Sequence, residues 1–102
     1  MTYREITNVG NGGRIVYDEE RKVPMIQFGE LGGNLAPGEH LYSIPAIYIL
    51  RKMNGAMDKY PGFDVVGADD DGIIISRKKC SLHISREEIL TKVESSFGFV
   101  LR

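Results

Sequence analysis

Residues 72–88 read Gly72-Ile73-Ile74-Ile75-Ser76-Arg77-Lys78-Lys79-Cys80-Ser81-Leu82-His83-Ile84-Ser85-Arg86-Glu87-Glu88. Ile73 to Ile75 is a β-branched run that is apolar on both faces, which predicts a strand at the centre of a sheet. Lys78-Lys79 is a polar turn. Beyond it Leu82 and Ile84 alternate with Ser81 and His83, the period-two pattern of a half-buried strand. Ser85-Arg86-Glu87-Glu88 is a capping box: the Ser85 hydroxyl accepts from the third helical amide, and the Glu88 carboxylate reaches back to the Ser85 amide. Strand, turn, strand and helix start follow one another with little room between them. Strands joined by tight turns are antiparallel, so this stretch alone predicts an α+β fold.

Upstream, Phe63-Asp64-Val65-Val66 runs into Asp69-Asp70-Asp71-Gly72, and an Asp-Gly pair between apolar runs signals a hairpin. Downstream, Ile89, Leu90, Val93 and Phe97 form one stripe, and Gly98 supplies a left-handed stop. Phe99-Val100-Leu101 then leaves the helix as an extended apolar tail that needs cover.

The first half adds a meander. Tyr3, Ile6 and Val9 precede the turn-rich Gly10-Asn11-Gly12-Gly13, and Arg14 to Tyr17 is a strand. Asp18-Glu19-Glu20-Arg21 turns the chain into Val23 to Phe28. Pro24 cannot donate to a ladder, so that strand lies at an edge or begins there. Gly29 to Leu41 carries four glycines and a proline and reads as a long connector. Ser43 is the expected N-cap of the first helix, with Pro45 in its first turn. Ala46, Ile49, Leu50, Met53, Met57 and Tyr60 share one helical face; Arg51, Lys52, Asp58 and Lys59 share the other. Gly55 falls inside that helix and weakens it, and Pro61-Gly62 stops it.

The expected order is β-β-β-α-β-β-β-α: one antiparallel sheet of five or six strands with two helices on it, forming one domain over residues 1–102. The order resembles that of longin- and profilin-like domains. The resemblance is one of topology with no shared motif, and it implies a binding or dimerisation scaffold.

The chain has 102 residues, 42 % apolar and 26 % charged, with a net charge of −1. That is a globular composition without the basic excess that marks nucleic-acid or anionic-membrane binding. The single cysteine, Cys80, leaves no internal disulfide and no cysteine-based zinc site. Met1-Thr2-Tyr3-Arg4-Glu5 has no apolar run behind a basic start, and no apolar stretch approaches a membrane span. A cytoplasmic location is expected.

Each candidate for chemistry has a plainer reading beside it. Gly10 to Gly13 before Arg14 could cradle a phosphate, yet a strand rather than a helix follows, so a hairpin turn or bulge is the simpler reading. Asp69-Asp70-Asp71 fails as a calcium loop. With Gly72 at that loop's invariant glycine, Lys78 falls where a bidentate Glu belongs. On a strand, Cys80 and His83 point to opposite faces and form no dyad. Arg77, Lys78 and Lys79 are the one basic cluster, without exposed aromatics for base stacking, so nucleic acid is not the expected partner.

The reading is therefore a non-catalytic protein-binding or regulatory module, with a protein partner or a second copy of itself, no cofactor and no metal. Ile44, Ile47, Tyr48, Phe99 and Leu101, left over after the core is assigned, form the expected partner surface. The alternative is a small-ligand or nucleotide binder that uses Gly32, Gly33, Asn34, Glu39 and His40 of the 29–41 loop, with the Gly10–Gly13 turn.

Overall fold

The computed structural model describes residues 3–29, 42–68 and 71–101, with Ala68 and residues 99–101 described as backbone. Among the described residues, seven strands and two helical regions form an α+β fold. The strands divide into two antiparallel sheets rather than one. β1 (Tyr3–Val9), β2 (Gly13–Asp18), β3 (Val23–Phe28) and β4 (Tyr42–Pro45) pair in chain order; β5 (Asp64–Ala68), β6 (Gly72–Arg77) and β7 (Cys80–Ile84) do the same. Each pairing is with a chain neighbour, and no local pattern dictates that the two meanders should share an edge.

The extra strand is β4. The sequence reads Ser43 as a helix cap, but Tyr42–Pro45 continues the first sheet, with Ile26 opposite Ile44 and Phe28 opposite Tyr42. A residue before proline is pushed out of the helical region, which makes Ile44 extended. Pro45 then occupies the N-cap of α1 (Ala46–Met53), without a side-chain cap. The helix is also shorter than its apolar face implies. Asn54 is the C-cap, and Gly55 follows with φ of 92°. Ala56 N–H donates to Arg51 O and Gly55 N–H to Lys52 O, the paired bonds of a Schellman ending. Gly55 therefore terminates the helix, and Met57 and Tyr60 lie beyond it.

Pro24 sits in an internal strand, but β4 pairs only with Met25 to Phe28, so the proline lies at the strand's start where β4 does not reach. Isoleucines 15, 26 and 44 stand in register across three strands and are all fully buried. The second sheet contributes Ile73 opposite Ile84 and Ile75 opposite Leu82. Ala46, Ile49, Ile89 and Val93 complete one core drawn from both sheets and both helical regions.

Ser85 caps the last helical region as expected: its hydroxyl oxygen accepts from Glu88 N–H at 3.2 Å. α2 (Arg86–Glu88) continues as a π-helical stretch at Ile89–Val93 and a 3-10 stretch at Ser95–Leu101. Hydroxyls of Thr91, Ser95 and Ser96 donate to the carbonyls of Glu87, Thr91 and Val93. Such bonds compete with the regular ladder and accompany irregular helix. Leu90, expected in the buried stripe, is half exposed, while Ser96 is buried. Gly98 makes no left-handed stop, and the 3-10 stretch Ser95–Leu101, which contacts β3, carries the backbone on to Leu101 instead of releasing it extended.

Candidate functional site

The expected partner surface is not a continuous surface. Ile44 is 0 % exposed and Tyr48 4 %, whereas Ile47 is 49 % exposed. Ile44 is buried because β4 places it beside Ile26. Tyr48 packs on Tyr60 with ring centres 5.3 Å apart, and its hydroxyl donates to Asp58 O at 2.5 Å. Phe99 and Leu101 lie in the 3-10 stretch, and their side chains fall outside the described residues, as does the expected ligand loop with Gly32, Gly33, Asn34, Glu39 and His40.

The Gly10–Gly13 turn is docked against the second sheet. Gly10 N–H donates to Glu88 Oε2 at 2.8 Å, the Asn11 side-chain oxygen accepts from His83 N–H at 2.8 Å, and Lys92 Nζ donates to Asn8 O. The amide that a phosphate would use is thus held by the chain's own carboxylate. Burial of Glu88 raises its pKa, but hydrogen bonds from Gly10, from the Ser85 amide and hydroxyl, and the nearby Lys92 ammonium outweigh that and hold it below the ordinary carboxylate value. A depressed carboxyl stabilises the fold above its unfolded pKa, and the contribution is lost as pH falls through its folded value. Glu88→Gln is expected to cost about 2 kcal/mol at pH 7, the scale of hydrogen bonds to a charged group. In urea titrations the gap between wild type and variant should close below the carboxylate range. An equal gap at pH 7 and pH 3 would refute the assignment.

The basic cluster is divided. The Arg77 guanidinium stacks 5.0 Å from the Tyr42 ring and 5.1 Å from the Phe63 ring. Lys78, with φ of 54°, and Lys79 are exposed at the hairpin tip. Arg77 thus belongs to an aromatic group of Phe28, Tyr42, Phe63 and Tyr60 at the root of the 29–41 connector. His83 lies on the exposed face of β7, its Nε2 2.8 Å from the Asp71 carbonyl, so that nitrogen carries the proton. Among the described residues, no three His, Cys, Asp or Glu side chains converge as a metal site, and no helix is long and apolar enough to cross a membrane.

A different place combines exposure with shape. A groove of about 400 Å³ runs between residues 52–57 and β5, lined by Lys52, Met53, Ala56, Met57, Val65 and Val66 together with Arg86. Met57 is 89 % exposed and Val66 60 %. β5 pairs with β6 alone among the described residues, and its Val65, Val66 and Gly67 line this groove. Gly67 adds to the openness: the nearest atom to a Cβ built there is Lys52 O at 4.0 Å.

The sequence reading missed this groove because it placed Met57 on the buried face of a longer helix. The available signals were Asn54-Gly55 as a helix stop and Val65-Val66 as a pair that puts an apolar side chain on each face of an edge strand. No family model, curated protein or solved structure matches the chain.

Proposed function

We propose that the chain is a non-catalytic protein-binding module that acts by contact, through the open edge of β5 and the groove beside it. The carrying observation is that, among the described residues, β5 lacks the usual guards of a sheet edge. Natural edges are blunted by lysine, proline, bulges or a covering segment. β1 has a register shift between Glu5 and Thr7 and ion pairs from Arg4 to Glu19 and from Arg14 to Glu5. β4 ends in Pro45 and passes into α1, and β7 is covered by the Gly10 turn, which bonds His83 N–H. Among the described residues β5 carries no lysine, proline or bulge and no covering segment, and Met57 and Val66 beside it are apolar and exposed. Such a patch marks a contact site.

The ligand-binding reading has less support, because the Gly10 amide is occupied. Native mass spectrometry of the protein captured from its own cells tests the choice. A complex with a protein chain, another kind or a second copy, is the expected result. A bare monomer, or a monomer with a stoichiometric small molecule, would overturn the reading.

A further inference from the structure

We infer that Asn11 is a site of self-modification: the Gly12 amide nitrogen attacks the Asn11 side-chain carbon, ammonia leaves, and water opens the resulting succinimide to aspartate or isoaspartate. The inference does not depend on what the chain binds.

The sequence has two Asn-Gly pairs, Asn11-Gly12 and Asn54-Gly55, and in each the attacking nitrogen belongs to a residue with no side chain to shield it. The fold treats the two pairs in opposite ways. Asn54 caps α1 with ψ of 16°, and its N–H is bonded to Leu50 O and Arg51 O. Gly55 N–H donates to Lys52 O at 3.1 Å. Turning the Asn54 side-chain carbon onto the Gly55 nitrogen requires this helix ending to open first. At the other pair, no hydrogen bond engages Gly12 N–H among the described residues. Asn11 and Gly12 are both exposed, and nothing lies within 4 Å of a Cβ built on Gly12.

The Asn11 side chain is also held for the reaction. His83 N–H donates to its oxygen at 2.8 Å. Negative charge gathers on that oxygen as the Gly12 nitrogen attacks, and a donor already aimed at it stabilises the tetrahedral state. The Gly12 nitrogen gives up its proton, and the Asn11 Nδ2 group gains one as it departs as ammonia.

The two products differ in what they do to the docked turn. Aspartate keeps a side-chain oxygen to accept from His83 N–H. In isoaspartate the main chain runs through the former side-chain carbon, so that oxygen becomes a backbone carbonyl and a methylene enters the turn. On either side Gly10 and Gly13 have no room even for a Cβ, against the His83 carbonyl and the Leu82 side chain respectively. Val9 is paired with Gly13, and Gly10 N–H is bonded to Glu88. The lengthened turn cannot keep these attachments and the His83 bond together, so isoaspartate releases the Gly10 turn from the second sheet.

The experiment incubates the purified full chain at pH 7.4 and 37 °C. Samples are mapped by peptide mass spectrometry, with enzymatic isoaspartyl methylation as a second readout. Asn11 is expected to convert, and Asn54 to lag by about tenfold or more, because it reacts only from locally opened molecules. In unfolding urea the two rates should converge. Asn11→Gln should leave only the slow Asn54 signal. In stopped-flow unfolding, aged protein carrying isoaspartate at position 11 should open faster than fresh protein, whereas fresh Asn11→Asp should match wild type. Circular dichroism verifies that both variants fold. An unmodified Asn11, an Asn54 that converts as fast, or the same gap between them in urea would overturn the inference. Isoaspartate at position 11 with an unchanged unfolding rate would overturn release of the turn.

Discussion

Gly72→Ala is expected to lower the stability of the fold by roughly 2–6 kcal/mol, from backbone strain of about 1–3 and overpacking of about 1–3. Gly72 opens β6 at φ of 97°, a left-handed conformation that favours glycine. It also lies under the start of the last helical region. A Cβ there would press into the Ile84 carbonyl oxygen, with Arg86 N and Ser85 C each at 2.8 Å. Those are backbone atoms of a strand end and a helix start, and neither can move without shifting its element. Gly12 provides the control: φ is 114°, but nothing lies within 4 Å of a Cβ built there. Gly12→Ala should cost only the strain, about 1 kcal/mol. Thermal melts of the two variants measure the difference. At about 4–8 °C per kcal/mol for a domain of this size, Gly72→Ala should melt at least about 4 °C below Gly12→Ala. Equal midpoints would mean that the β6 start and the α2 start are not in contact.

Ile44→Ala carries the second large effect, about 3 kcal/mol, because it removes a fully buried side chain from the middle of the isoleucine row. Ile47→Ala, three residues on and half exposed, should change stability by no more than about 0.5 kcal/mol. Equilibrium urea unfolding of the pair separates the two accounts of this segment. If Ile44 lay on a helix surface, both variants would be near neutral. If it belongs to β4, only Ile44→Ala moves the midpoint.

That segment also marks what could be read from the chain alone. Signals that act over a few residues were legible: the Asp71-Gly72 turn, the alternation of Leu82 and Ile84 with Ser81 and His83, and the Ser85 cap all fall where the residues put them. β4 was not legible in the same way. Ser43 and Pro45 satisfy the rules for a helix start, and the opposing preference of Ile44 before proline is decided by a strand across the 29–41 connector. The division into two sheets, the burial of Tyr48 under Tyr60 and the groove beside β5 arise from packing between distant segments. Glu88 is the clearest instance. Its place in a capping box is a local fact, but its bond to Gly10 spans 78 residues.

That span shapes how the molecule assembles. Every strand pairing joins neighbours along the chain, so each meander can form from contacts of short sequence separation, the kind that favour rapid folding. Docking of the Gly10 turn onto Glu88 and His83 instead requires the two ends of the chain to meet. Closing a long loop carries an entropic cost that is recovered only once the surfaces it joins exist. The clasp therefore closes late, after the meanders, and it acts as a brake on opening more than as a guide to folding. In stopped-flow measurements Glu88→Gln should then accelerate unfolding and leave the refolding rate nearly unchanged, the behaviour of a contact absent from the transition state.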